Sequence, residues 1–340
     1  MKKWIGILLK TVLPLGLGVY LVWYFFDRMS ATDKTIFFEA IQKADYTWIV
    51  ASLALSFLAL LSRAYRWKYV LEPLGYQTKF WNRYHALMIG YIVNLTIPRA
   101  GEASRAVMLS RSDGVPFSKS FGTILAERAV DLVMLMGVVL FTTSIGYDDF
   151  WKIKYQVETQ LGSNNPTGET SWAGIILYSI VATVLIGLII AFAIQRIRTK
   201  LVQFIKDLFA GVFAIFRSKN PWSYSAHTVF IWLMYISYFS IAFLSLEEAK
   251  DVPFAGIMIA FIAGSLGISF TNGGIGAFPL LVGLVLNFYL HDEYGDAAAG
   301  IGAALGMIIW SSQTLMMILL GALSFVLLPN NFSSKDEPVQ

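Results

Sequence analysis

Apolar residues in this chain fall in long continuous blocks, without the two-residue alternation of half-buried strands. A run of about 20 apolar residues crosses a hydrocarbon core of roughly 30 Å as a helix. Backbone groups in lipid must be satisfied within the segment, which favours helices for such runs. The pattern predicts crossings at about 5–26, 48–61, 121–145, 172–194, 225–246 and 297–328. Between the first two, Ile36, Phe37, Ala40 and Ile41 lie opposite Asp33, Lys34, Glu39 and Lys43 on a helical wheel. That arrangement suits an amphipathic helix at the membrane interface. The stretch 196–217, with Leu201, Phe204, Ile205, Leu208 and Phe209, repeats it.

Two apolar stretches are broken. The first, 86–97, would rise only about 18 Å as a helix before it meets Pro98-Arg99-Ala100-Gly101-Glu102-Ala103-Ser104-Arg105. Irregular backbone at membrane depth is tolerated only against protein or a water-filled cavity, so a re-entrant hairpin is expected over 83–109. The second, 254–290, is interrupted at Ser269-Phe270-Thr271-Asn272-Gly273-Gly274-Ile275-Gly276. Each half then reads crossing, interfacial helix, crossing, broken pair, crossing. The expected fold is an all-α polytopic membrane protein of two inverted repeats, with about six crossings and two re-entrant helix pairs. One transmembrane domain, 1–328, would hold the pseudo-repeats 1–146 and 172–328, followed by a polar tail, 329–340. Matching interruptions in two halves are the pattern of a transporter-like binding site.

Composition agrees. The 340 residues are 56% hydrophobic and 14% charged, with a mean hydropathy of +0.62, whereas soluble domains carry about 25% charge. The net charge of +4 is better read as loop charge than as a nucleic-acid footprint. With the N-terminus inside, cytoplasmic segments carry 19 Lys/Arg and external ones 6, the bias that orients membrane proteins. Both termini are then cytoplasmic, in a plasma membrane. Met1-Lys2-Lys3 begins an apolar run too long for a signal peptide's core, so an uncleaved first helix is expected. The chain has no cysteine, and His85, His227 and His291 are far apart. No metal centre, cofactor or phosphate-binding loop is expected.

Chemistry is sought where charge interrupts apolar sequence. Arg99 and Arg105 offer planar forks for a phosphate, with Glu102 placed to pair with one of them; the plainer reading is a solvated loop. Glu127, Arg128 and Asp131 interrupt the crossing at 121–145, where each charge costs about 2.5–3.5 kcal/mol on insertion scales. Arg128 and Asp131 have the spacing of a helical ion pair, and an interhelical salt bridge is the structural alternative. Asn272, Gly273, Gly274 and Gly276 would let backbone approach a ligand, or serve packing alone. Arg63, Arg66 and Lys68, among Tyr65, Trp67 and Tyr69, look like interfacial anchors facing headgroups.

Three of these motifs in order, Ser62-Arg63-Ala64-Tyr65-Arg66-Trp67, Pro98 to Arg105 and Glu127-Arg128-Ala129-Val130-Asp131, resemble successive signatures of the lysylphosphatidylglycerol synthase transmembrane (flippase-like) family. Gly273-Gly274-Ile275-Gly276 resembles its C-terminal signature. The resemblance covers about 5–328 and implies a bacterial or archaeal plasma-membrane protein that handles lipids, in some members by moving a modified anionic phospholipid. Other members carry a fused transferase domain, for which a 12-residue tail after Leu328 leaves no room. Thr271-Asn272 and Pro279 depart from the family's usual Pro before and Glu after the glycines.

The expectation is a non-enzymatic lipid translocase or lipid-binding protein whose partners are membrane lipids. Two alternatives are an intramembrane enzyme on a lipid-linked phosphate or sugar, and a non-transporting partner of a lipid-modifying enzyme.

Overall fold

A computed structural model describes residues 31–97, 100–149, 151–152 and 220–329, with isolated helical positions at 16, 19, 20, 23, 26, 27, 195 and 199. Among the described residues the regular structure is helical. The α-helices are α1 (Ala31–Lys43), α2 (Tyr46–Arg66), α3 (Lys68–Leu71), α4 (Phe80–Thr96), α5 (Ala100–Asp113), α6 (Phe117–Ile145), α7 (Pro221–Ala242), α8 (Phe254–Phe270), α9 (Ala277–Tyr294) and α10 (Ala297–Leu327). Apart from the isolated positions, the expected crossings at 5–26 and 172–194, the stretch 196–217 and the tail beyond 329 lie outside the described residues.

Among the described residues three segments are long and apolar enough to cross a membrane: Tyr46–Leu74, Pro221–Ser245 and Ala297–Leu327. At 29 residues, α6 extends about 43 Å at 1.5 Å per residue, with its charges near mid-length. The protein is an all-α membrane protein. Its helices pair α2 against α7 and α9 against α10, while α4 packs on α10 and α8 touches α6. Lipid supplies no hydrophobic drive between helices, so close van der Waals packing at small residues must hold them. The α9–α10 seam does so: a Cβ on Gly302 would lie 2.9 Å from the Gly283 carbonyl oxygen, and one on Gly306 2.8 Å from that of Pro279.

Both expected breaks are helix hairpins. In the first, α4 and α5 approach so closely that a Cβ on Gly101 would fall 2.1 Å from the Gly90 carbonyl oxygen. The Asn94 side-chain oxygen accepts the Gly101 N–H at 2.7 Å, satisfying an otherwise orphaned donor at the start of α5. In the second, Gly273, Gly274 and Gly276 take φ of 59°, 81° and 70°, the left-handed region open to glycine without a Cβ penalty. Trp310 Nε1 donates to the Gly273 carbonyl at 2.8 Å, pinning this turn to α10. A Cβ on Gly273 would also meet Leu95 Cδ2 at 2.5 Å, so the second turn rests on the end of α4.

Two expectations are corrected. The apolar face of α1 does not simply lie on lipid: Phe37 and Ala40 are buried in the core, and a Cβ on Gly300 would stand 2.9 Å from the Asp33 carbonyl. Protein packing, on the first turns of α10, takes that face. Nor do Arg63 and Arg66 face the headgroups. The helix continues to Arg66, and Arg63, Arg66 and Trp67 are buried.

Candidate functional site

The charged residues of α2, α5 and α6 converge. Asp131 on α6 lies between two guanidinium groups of α2, its Oδ2 accepting from Arg63 Nη2 at 2.7 Å and its Oδ1 from Arg66 Nη2 at 3.0 Å. Three residues separate the two arginines, nearly one helical turn, so both reach one carboxylate. Helix α7 completes their surroundings. Arg63 Nη1 donates to Tyr235 Oη at 3.1 Å, and Arg66 Nη1 to Thr228 Oγ1 at 3.0 Å. The Arg66 guanidinium also lies 5.2 Å from the centre of the Tyr224 ring.

One turn earlier on α6, fully buried Glu127 accepts from Arg105 Nη1 of α5 at 2.8 Å. Arg105 stacks 3.6 Å from the ring centre of Trp67, an aromatic face that stabilises a desolvated cation. Trp67 is held in turn by its indole N–H to Thr123 Oγ1 at 2.9 Å. Arg128 points away from this layer to Glu102 of α5, 2.7 Å distant, in a partly exposed pair. Helices α5 and α6 are thus clasped twice, with donor and acceptor exchanged between the two pairs.

Several atoms of the cluster have no hydrogen-bond partner among the described residues: Nε of Arg63, Arg66 and Arg105, Nη2 of Arg105, one oxygen each of Glu102 and Glu127, and the Tyr224 hydroxyl. Four arginines and three carboxylates leave one positive charge. Chemically, the cluster can accept an anion at unfilled N–H groups or exchange protons at free carboxylate oxygens. Among the described residues no group of His, Asp and Glu is arranged to hold a metal ion.

The structure therefore gathers Glu102, Arg105, Glu127, Arg128 and Asp131, and adds Arg63 and Arg66, which had been expected at the surface. The expected Arg128–Asp131 pair is replaced by Arg128–Glu102 and the Asp131 bridge. Arg99 lies outside the described residues. Lys68 fits an interfacial place, with its ammonium 3.5 Å from Glu72. Asn272, Gly273, Gly274 and Gly276 form the second hairpin turn, which meets the first hairpin at Leu95; Asn272 is buried with its Nδ2 unpartnered among the described residues. Sequence reasoning missed Tyr224, Thr228 and Tyr235. Their spacing on α7 puts all three on one stripe of a helix that has no Asp, Glu, Lys or Arg, and that stripe was the available signal.

A family model described as the lysylphosphatidylglycerol synthase TM region matches residues 11–321. A UPF0104 membrane protein of Methanocaldococcus jannaschii is 24% identical over 286 residues, covering 75% of this chain and 78% of that protein. Glycosyltransferase AglD of Haloferax volcanii is 27% identical over 132 residues, covering 38% of this chain and 20% of that protein. A UPF0104 membrane protein of Methanothermobacter thermautotrophicus is 25% identical over 114 residues, 30% of this chain and 34% of the relative. No solved structure matches. With the family model spanning every helix of the charged cluster, the chain belongs to the lysylphosphatidylglycerol synthase TM-region family.

Proposed function

We propose that this protein binds the phosphate-bearing headgroup of an anionic lipid within the bilayer and carries it across a plasma membrane, without catalysing a reaction. The observation behind this reading is Arg105. Buried against Trp67, it meets Glu127 through one nitrogen and has Nε and Nη2 unpartnered among the described residues. Unmet buried donors cost about 1–3 kcal/mol each, and a phosphate oxygen on that edge of the guanidinium would remove the cost. The family's own description, with its lipid synthase, points the same way. Two inverted halves and cytoplasmic termini belong to this proposal, as does a headgroup contact at Arg99.

The test is movement of a fluorescent phosphatidylglycerol across proteoliposome membranes. Wild-type protein is expected to move it. Arg105→Gln should slow transfer about tenfold, the equivalent of roughly 1.4 kcal/mol, with Arg105→Lys intermediate because it keeps charge and loses the fork. Wild-type rates in Arg105→Gln and Glu127→Gln, both folded by size-exclusion, would remove the cluster from the mechanism.

The free oxygens of Glu102 and Glu127 favour a second reading, acid–base chemistry on a lipid-linked phosphate or sugar. The similarity of part of the chain to a protein named glycosyltransferase is compatible with that, or with service as its membrane partner. Product formation by the purified protein, or co-purification with a synthase and no transfer alone, would favour these in turn.

A further inference from the structure

We infer that the seam between α2 and α7 is a docking groove for one acyl chain of an anionic glycerophospholipid, with the phosphate at Lys68. This site is separate from the charged cluster and does not depend on lipid movement. An open groove of about 500 Å³ runs along the seam, walled by Leu58, Leu61, Tyr65 and Phe230, with Ser62 and His227 between them. That volume falls in the range of small-molecule sites. Leu58 is 44% exposed and Phe230 39%, so the walls are bare among the described residues. Both helices belong to segments long and apolar enough to cross a membrane, and in a bilayer the opening is taken to face hydrocarbon.

Two of the groove's polar atoms already satisfy each other. Ser62 Oγ and His227 Nδ1 are hydrogen-bonded to each other at 2.8 Å. The His227 ring lies between Tyr65 and Tyr69, with centroids 5.0 and 5.9 Å away. Filling the space with an apolar chain leaves this pair intact. The charge at the mouth selects the head. Lys68 Nζ stands 5.7 Å from the centre of the Tyr65 ring that walls the groove. Its nearest anion, Glu72, is 3.5 Å away in a partly exposed pair, leaving ammonium protons for a phosphate. Aromatic rings beside a lysine are what the headgroup level of a membrane favours. A cation at one end and an apolar trough behind it match an anionic amphiphile, whose phosphate would share the Lys68 ammonium with Glu72.

The experiment uses the full chain in phosphatidylethanolamine vesicles carrying a trace of phosphatidylglycerol with a photoactivatable diazirine in mid-acyl chain, followed by peptide mapping. Adducts are expected at Leu58, Leu61, Ala226 and Phe230 in excess over Leu140 and Leu319, which are 68% and 61% exposed elsewhere on the surface. The same diazirine on phosphatidylethanolamine should label the groove less. Ala226→Trp, which fills the trough, should abolish groove adducts and spare those elsewhere. Lys68→Gln should erase the preference between probes while groove labelling persists. Adducts spread in proportion to exposure would overturn the site, as would crosslinks between copies in place of lipid adducts. Equal labelling of the wild type by both probes would overturn the anionic head.

Discussion

Arg63 and Arg66 share one carboxylate, and nothing else of opposite charge is bonded to either among the described residues. Removing one partner of a buried ion pair strands the other, at about 3–5 kcal/mol. Asp131→Asn is therefore expected to lower the thermal unfolding midpoint sharply in detergent, whereas Lys43→Gln, which breaks only the exposed Lys43–Glu39 pair, should leave it nearly unchanged. Equal midpoints for the two variants would show that Asp131 is not holding two buried cations. Sequence flagged Asp131 because a carboxylate inside an apolar run is costly, and left its partner open between Arg128 and another helix; the interhelical alternative is the one observed. Spacing within α6 suggested Arg128; the tertiary fold turned that side chain toward Glu102. Arg63 and Arg66 were misread for a related reason. A run of basic and aromatic residues has the same composition whether it leaves the membrane or continues as a helix into a polar interior.

At the scale of elements, the two hairpins were legible and their packing was not. Short apolar length, Pro98 and the glycines of 273–276 announce a break from composition alone. The contact of Gly90 with Gly101 depends on how α4 crosses α5, which no local pattern encodes. A Cβ on Gly101 would have to displace the backbone carbonyl of Gly90, beyond what side-chain repacking absorbs, and overpacking typically costs 1–3 kcal/mol or more. Gly101→Ala should lower the unfolding midpoint and detach the hairpin. Gly122→Ala, with nothing within 4 Å of the new methyl, should raise it slightly, since alanine gains about 1 kcal/mol over glycine in a helix. A helix end gives a pH prediction. The Thr47 N–H donated to Asp45 holds that carboxyl below its usual range. A lowered folded-state value stabilises above the ordinary carboxylate range and is lost as pH falls through the folded value. Corrected for the intrinsic pH dependence of exchange, amide protection at the start of α2 should accordingly fall in acid, and Asp45→Asn should flatten that dependence.

For the whole molecule, the described loops sort by charge. Lys79, Arg111 and Lys119 flank the ends of α4, α5 and α6 at one pole, where the Lys79 N–H is donated to Asp113 at 3.1 Å and ties two of those ends together. The other pole carries Asp149, bonded to Tyr289 at 2.8 Å, with Asp292 and Asp296 between α9 and α10. Lys79, Arg111 and Lys119 belong to the 19 Lys/Arg counted on cytoplasmic segments. Basic loops are retained on the cytoplasmic side, so the Lys119 pole should face the cytoplasm and the Asp292 pole the outside. The chain's lack of cysteine makes the test direct. In intact cells a membrane-impermeant maleimide should label Asp292→Cys and leave Lys119→Cys untouched until the membrane is permeabilised. Labels in the opposite order would invert the protein in the membrane. Labelling of both from outside would mean that the two poles do not lie on opposite faces of a membrane, and the charged cluster between them would then have no bilayer to carry a headgroup through.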